Sequence, residues 1–486
     1  MTEFELKLEI PADRLAAVEA AVAAEPATRM RLRALYVDTP DRALARHGIA
    51  LRLRQEDGAW VQTAKARGRG PVERLEHNVP LDAKGDDAPA PDTARHDGTP
   101  LERQLRVALA DTSDPRWAIV FETDVERVLR EVPHGDSVLE LALDQGSIHA
   151  GDRKVMVREL EIELKSGDPA DAVSLARSWV ARHGLWLSTS SKAERGQLLA
   201  DGQLSAAAVH NDAIDFPRKA RSGEVVQAVL ASCLGHAVAN AGAIAAGSNE
   251  QEHVHQLRVA IRRLRTALRD LQPLAPMDAG CEPALVETFR ALGEHRDQFH
   301  VTRSLEPRIE AAGGPVLAVS PAAMPVPDPG EVVRAPAFQD ALLELLGQQV
   351  ALAEGDRSPR KHARRRLRRL WRQVVRDGAD FSALDPVLQH RVRKRLKRLR
   401  YLAEFTQPLF GKHGTHAFLD ALKPVQDALG DYNDGQMALQ AYGRIAQDEP
   451  KALFGVGWLT AQREPQAREC EKALRRLGRR AEPFWD

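Results

Sequence analysis

The sequence predicts a multi-domain chain: an N-terminal α+β part built on antiparallel strands, then an all-α, internally duplicated C-terminal part. Three observations carry this. Apolar and polar residues alternate with period two through the first 200 residues, the period becomes helical from about residue 219, and a basic helical segment near residue 255 recurs near residue 390. At 486 residues and roughly 150 residues per domain, there is room for two to four domains.

Glu3-Phe4-Glu5-Leu6-Lys7-Leu8-Glu9-Ile10, Ala50-Leu51-Arg52-Leu53-Arg54 and Glu159-Leu160-Glu161-Ile162-Glu163-Leu164-Lys165 each place apolar side chains on one face and charged ones on the other. Two helices interrupt these strands. Residues 11–24 open with Pro11 and continue Ala-rich, and residues 169–183 follow Asp168 as N-cap and Pro169 as first helical residue. Residues 82–100, rich in Asp, Ala, Pro and Gly, read as a loop. Residues 201–218 read as a linker between domains at 1–200 and 219–486. Beyond it, helices are expected at 221–246, 249–271, 283–311, 336–354, 358–377, 385–407, 413–429 and 432–447, with 313–335 as a long connector.

The duplication is specific. His255-Gln-Leu-Arg258-Val-Ala-Ile261-Arg262-Arg263-Leu264-Arg265 aligns with His390-Arg-Val-Arg393-Lys-Arg-Leu396-Lys397-Arg398-Leu399-Arg400, 135 residues later. Leu292-Gly293-Glu-His-Arg-Asp297 aligns with Leu429-Gly430-Asp-Tyr-Asn-Asp434 at an offset of 137.

Lys+Arg and Asp+Glu number 69 each, so the net charge is zero, but residues 1–200 hold 28 and 34 and the remainder hold 41 and 35. An acidic part is joined to a basic one. Cys233, Cys281 and Cys470 are odd in number and far apart, which excludes a disulfide framework and a zinc-ligand spacing. No signal peptide is visible and no uninterrupted apolar run reaches about 18 residues. A reducing, cytoplasmic setting without a membrane span is therefore expected; the oligomeric state is left open.

The strand faces of the first part are charged with both signs and carry few neutral polar residues. Glu3, Glu5 and Lys7 share a face, as do Arg52 and Arg54, Arg74 and Glu76, and Glu159, Glu161, Glu163 and Lys165. Two readings fit: a half-exposed sheet with its charges in water, or an antiparallel barrel of about eight strands whose charges line a lumen. In the second, carboxylates suit hard divalent cations, guanidinium and ammonium groups suit phosphate oxygens, and together they describe a metal-assisted phosphoryl site.

Glu3-x-Glu5-x-Lys7 resembles the signature of the CYTH, or triphosphate tunnel metalloenzyme, family. Tyr36-Val-Asp38-Thr39-Pro40-Asp41, Leu51-Arg52-Leu-Arg54, Thr63-Ala-Lys65, Arg74-Leu-Glu76, Thr123-Asp124-Val-Glu-Arg127, Leu143-Asp144-Gln-Gly146, Glu159-Leu-Glu161-Ile-Glu163-Leu-Lys165-Ser-Gly167 and Ser191-Lys192-Ala-Glu194-Arg195-Gly196 follow in the family's order. The resemblance implies an eight-stranded tunnel binding triphosphates with Mg²⁺ or Mn²⁺. It implies Glu3, Glu5, Glu161 and Glu163 as metal ligands with Asp144 or Glu140 nearby, and Lys7, Arg52, Arg54, Lys65, Arg127 and Lys192 on phosphate oxygens. Lys7, Glu5 and Lys65 are then the catalytic positions, with Lys7 one candidate for the proton acceptor. Glu9, Glu159 and Lys165 read as strand-end or rim charges.

In the helical part, at about 100° per residue, Arg258, Arg262, Arg265 and Arg269 lie at about 280–340° from His255, beside an apolar stripe of Leu257, Ile261, Leu264 and Leu268. The second copy repeats this with His390, Arg393, Lys397 and Arg400. A solvated outer face is one reading and a polyanion site the other. Residues 357–400 hold 17 Lys+Arg against three acids, which favours the polyanion. Few aromatics are present to stack on bases, so nucleic acid is disfavoured.

These two stripes and the Leu-Gly-x-x-x-Asp turns resemble the CHAD, conserved histidine α-helical, family over residues 217–486. The resemblance implies two pseudo-symmetric four-helix bundles that bind inorganic polyphosphate through His255, Arg258, Arg262, Arg265, His390, Arg393, Lys397 and Arg400. One position departs: Phe299 stands where the family places a further Asp. A tunnel joined to such a domain implies an inorganic triphosphatase that converts tripolyphosphate to pyrophosphate and phosphate beside a polyphosphate-binding domain. The alternatives are a non-catalytic polyphosphate-binding or granule-associated protein, and an adenylate cyclase or thiamine-triphosphatase type of tunnel enzyme.

Overall fold

The computed structural model describes residues 4–56, 58–67, 74–85, 87–300, 305–317, 326–351, 355 and 357–485. They form two compact units, Met1–Ala207 and Ala208–Asp486.

The first unit is an antiparallel sheet of β1 (Glu5–Glu9), β2 (Thr28–Asp38), β3 (Ile49–Glu56), β4 (Ala59–Arg67), β5 (Arg74–Lys84), β6 (Ala118–His134), β7 (Ser137–Ala150), β8 (Arg153–Ser166) and β9 (Trp186–Leu187). Their order is β5-β4-β3-β2-β6-β7-β8-β1-β9. Eight long strands match the eight expected. The two-residue ninth arises where Gly184, at φ 68°, turns the chain after its helix. It lays Trp186 and Leu187 against Glu9 and Leu8. With β9 on that stretch of β1, no ladder among the described residues joins β5 to the opposite edge.

Alternation sets the two faces. Leu6, Leu8, Leu160 and Ile162 are buried on one face. Helices α1 (Leu15–Val22) and α4 (Pro169–His183) pack against β1, β6, β7 and β8. Two short helices absent from the sequence expectation, α2 (Ala43–Arg46) and α3 (Glu102–Ala110), cover Val37, Leu51 and Ala64 further along. They were missed because each is shorter than three helical turns, too brief to show a period.

The opposite face carries the charges, and at one end it turns apolar with Tyr36, Phe121, Val125, Ile148 and Val157. A further unexpected helix, α5 (Lys192–Ala200), packs there through Ala193, Leu199 and Ala200. Ser191 and Glu194 form its capping box, which fixes where the helix begins. Gly196 lets it approach, since a Cβ there would lie 2.2 Å from the Phe121 ring.

The second unit contains α6 (Ser222–Ala245), α7 (Gln251–Leu271), α8 (Glu282–His300), α9 (Glu306–Ala311), α10 (Pro329–Arg334), α11 (Pro336–Val350), α12 (Pro359–Gly378), α13 (Pro386–Phe410), α14 (Lys412–Ile445) and α15 (Leu453–Arg480). The duplication is visible in the packing: α6 lies on α7 as α12 lies on α13, and α7 touches α13. Three expectations change. The connector at 313–335 contains α10, which Asp328 caps. The two helices expected at 413–429 and 432–447 are one, α14. Gly430 costs that helix about 1 kcal/mol, but Leu422, Val425, Leu429 and Tyr432 are buried along it and outweigh that. Helix α15 was not anticipated at all, because Gly and Pro interrupt its period.

Helix α6 is long and apolar enough to cross a membrane by length and composition, with a mean hydropathy of 1.5. Gln227, Ser232, His236 and Asn240 break its apolar run. Its Val225, Val226, Val229, Leu230 and Cys233 are buried in the bundle, so it serves as a core helix.

Candidate metal and phosphate site

Strand register builds the site. Glu9, Glu159, Asp144 and Arg127 lie side by side across β1, β8, β7 and β6. Lys7 pairs with Glu161 one step along, and Glu5 with Glu163 and Glu140 one step further. Glu3 lies outside the described residues.

One carboxylate oxygen each of Asp144, Glu159 and Glu161 lies within 4.8 Å of the others. Four cations of the chain hold the three acids. Arg127 donates through two nitrogens to both oxygens of Asp144 and also to Glu161, all at 2.6 Å. Lys192, from the first turn of α5, reaches Asp144 at 2.6 Å, Glu161 at 3.2 Å and Glu159. Lys7 lies 3.5 Å from Glu161. Arg195 joins Glu9 at 2.9 Å to Glu159 at 3.5 Å.

Burial raises the Glu159 carboxyl to about 7, against the pull of Lys192 and Lys7. Burial acts on Glu161 too, but there Lys192, Arg127 and Lys7 outweigh it and hold it well below the usual carboxylate range. Glu5 is raised by loss of water and by Glu161, with Lys7, Lys192 and Arg127 opposing. One acid of the group thus sits near neutrality while its neighbour stays ionised, the expected result of crowding like charges.

Arg52, Arg54 and Lys65 come from the same face on β3 and β4. Lys65 meets Glu76 at 2.6 Å and Arg52 lies 4.0 Å from it. Arg54 pairs with Glu56. The Nε atoms of Arg52 and Arg54 are buried with no hydrogen-bond partner. Burial and the neighbouring Arg52 lower the Arg54 pKa. Buried guanidinium donors that lack acceptors and repel each other suit an anion with several oxygens.

Sequence reasoning placed Glu5, Lys7, Arg127, Asp144, Glu161 and Lys192 in one site, and they are together. It assigned Glu159 to the rim, yet Glu159 is fully buried at the centre. Alternation alone cannot rank the acids of one strand; β1 and α5 do so by where they cross β8. Glu163, expected beside Glu161 as a ligand, shares Lys165 with Glu140 instead, at 3.0 Å each, outside the three-carboxylate group.

In the helical unit the expected stripes are partly consumed internally. Arg258 is buried, donates to the Phe289 carbonyl and lies 4.1 Å over that ring. Arg262 donates to the Tyr401 hydroxyl at 3.2 Å. Arg265 pairs with Glu282 at 2.9 Å, and Arg400 with Glu404 at 2.7 Å. His255 is half-buried and His390 exposed. The pKa of His390 is lowered by burial and then by Lys394, Arg393 and Lys397. Burial also lowers Lys394, followed by Arg265, Arg269, Arg290 and Arg393, so cations of both copies crowd one ammonium. The side chains of Asp297 and Phe299 lie outside the described residues.

Residues 1–197 match the CYTH domain and residues 228–443 the CHAD domain. The chain carries a CYTH domain followed by a CHAD domain. An inorganic triphosphatase of Haemophilus influenzae is 34% identical to the CYTH–CHAD chain over 173 residues, 35% of this chain and 46% of that protein. The match thus spans about half the length of that relative. An uncharacterized protein of Mycobacterium tuberculosis is 27% identical over 95% of this chain and 92% of its own. The crystal structure of a CHAD domain from the plant Ricinus communis is 26% identical, with a TM-score of 0.46, over 56% of this chain and 97% of that one. The three-carboxylate site lies within the CYTH match and both basic stripes within the CHAD match.

Proposed function

We propose that the CYTH unit is a metal-dependent inorganic triphosphatase, cutting tripolyphosphate to pyrophosphate and phosphate, and that the CHAD unit binds inorganic polyphosphate. The observation that carries the first part is the group of Asp144 and Glu159, both buried, and half-buried Glu161, flanked by Lys7, Arg127 and Lys192. Oxygen-only donors fit a hard divalent cation, Mg²⁺ or Mn²⁺. Such a cation neutralises phosphate charge and acidifies water. The chain's own residues do the rest. Arg127, Lys192 and Lys7 grip phosphate oxygens on one side. Arg52 and Arg54, with their unpartnered Nε atoms, grip them on the other and stabilise the charge that develops as water attacks the terminal phosphorus and the phosphoanhydride bond breaks. Lys65 is the proton acceptor we assign, since burial and Arg52 lower its pKa against Glu76.

An inorganic substrate is favoured over a nucleotide because Tyr36 and Phe121, two aromatics of the charged face, are buried and stack on each other at 4.3 Å, so neither ring is open to a base. The relative named as an inorganic triphosphatase supports the same reading. Phosphate release with Mg²⁺ or Mn²⁺, measured on tripolyphosphate, ATP and thiamine triphosphate side by side, tests it. Turnover is expected on tripolyphosphate first, and Glu5→Gln is expected to abolish it. Absence of turnover on all three, with polyphosphate still bound, replaces the enzyme with a binding protein. For the helical unit, Arg262→Ala with Lys397→Ala is expected to weaken polyphosphate binding and spare tripolyphosphate hydrolysis.

A further inference from the structure

Helix α12 carries a row of cations that the repeated stripes do not include. Lys361, Arg364, Arg365, Arg368, Arg369, Arg372 and Gln373 line an open groove of 440 Å³ along this single helix. At about 100° per residue, the six cations fall within a sector of roughly 140°. Ala363, Leu367, Leu370 and Val374 fill the opposite side and are buried. Arg366 points elsewhere, to Asp270 of α7. The basic row therefore belongs to the outward face.

That face differs from an ordinary solvated one. Among the described residues, no carboxylate pairs with Lys361, Arg365, Arg369 or Arg372, all of which are exposed. Other exposed cations of the unit do meet acids, as Arg376 meets Asp377 and Arg475 meets Glu471. Like charges three or four residues apart destabilise a helix by a few tenths of a kcal/mol per pair. Here Lys361–Arg365–Arg369 and Arg365–Arg368–Arg372 accumulate several such pairs. The helix holds through its buried face and its Ser358 cap, and the repulsion remains for a bound anion to relieve.

We propose that this outward face of α12 is a second polyanion site, and that a linear inorganic polyphosphate chain lies along the groove. The proposal rests on reading the helical unit as a polyphosphate binder, and it adds a site to it. The row from Lys361 to Arg372 runs about 16 Å at 1.5 Å per residue, a straight path for several successive phosphates. No aromatic lines it, which disfavours a single-stranded nucleic acid. None of the exposed large apolar residues lies on α12, which disfavours insertion at a lipid surface.

The test is a binding titration of the full chain with long-chain polyphosphate across a range of salt. Arg365→Gln, Arg369→Gln and Arg372→Gln together are expected to weaken binding by at least about 10-fold and to lower the salt slope by about two, from roughly 0.7 per lost phosphate contact. Circular dichroism and tripolyphosphate turnover are expected to stay as in the parent, and the melting temperature to hold or rise as the like-charge pairs are relieved. Lysine at the same three positions is expected to keep most of the affinity. If the glutamine variant binds like the parent while Arg262→Ala with Lys397→Ala loses binding, the groove is refuted and the polyphosphate reading of the unit stands. A parent chain that does not bind polyphosphate overturns both. Tighter binding of single-stranded RNA at equal phosphate concentration overturns the choice of occupant.

Discussion

Arg127 and Asp144 are direct register partners across β6 and β7, and the guanidinium holds both carboxylate oxygens at 2.6 Å. Asp144 is wholly buried. Removing one member of a buried charge pair costs about 3–5 kcal/mol, because the other is left uncompensated. Lys192, also on Asp144, reduces that here. Arg127→Met is therefore expected to lower the stability of the CYTH unit by about 3 kcal/mol in chelator. Millimolar Mg²⁺ is expected to restore part of the loss by supplying the missing positive charge. Denaturant titrations with and without Mg²⁺ check both, and equal midpoints for parent and variant would contradict the pairing.

Glu159→Gln keeps shape and removes charge. A group beside a ligand typically matters 10–100-fold for metal affinity, so the loss for Mn²⁺ is expected to reach at least about 10-fold, read by the electron paramagnetic resonance signal of free Mn²⁺. Glu163→Gln is expected to change it far less, since Glu163 and Glu140 already share Lys165. The reverse ranking would move the metal toward the β1 start.

Two glycines bear opposite expectations. At Gly196 a Cβ would meet the Phe121 ring at 2.2 Å, and overpacking of this kind costs about 1–3 kcal/mol. Gly196→Ala is expected to lower the melting temperature and, by lifting α5 and Lys192, to reduce phosphate release. At Gly430, inside α14, a Cβ meets nothing within 4 Å. Gly430→Ala is expected to stabilise by about 0.5–1 kcal/mol; a loss would argue for a break in α14 at that point.

His236 is buried in the helical unit. Burial, then Arg263, lowers its pKa from 6.5 to about 4, with the hydrogen bond to Gln256 opposing. The fold thus favours the neutral ring. The stability this contributes is present above about pH 6.5 and is lost as pH falls toward 4, up to about 3 kcal/mol at 1.36 per pKa unit. Denaturation of the parent across pH 4–7 is expected to show this decline, and His236→Gln to flatten it. A parallel slope in the variant would assign the decline to other groups.

Much of the site was legible because charged alternation survives in the primary sequence. Lys7 and Glu161 could be placed on charged strand faces by counting in twos, and Arg127 and Asp144 followed from the resemblance to the CYTH family. Glu159 could not, since its burial depends on Lys192 and Arg195 arriving from α5, a helix of nine residues too short to show a period. The basic stripes were equally visible, but not the fate of each cation: Arg258 turns inward to Phe289 because α8 lies against α7 there.

By itself the sequence determined which residues share a strand or helix face, because that follows from periods of two and 3.6. It determined the duplication, and the meeting of acids and bases in one half. Tertiary structure alone decided which charges meet. The register of β1, β8, β7 and β6 sets the acids side by side, and α5 delivers Lys192 to them across about 30 residues of intervening chain. On α12 the same logic runs outward: packing buries one face, and on the opposite face no acid among the described residues pairs with Lys361, Arg365, Arg369 or Arg372.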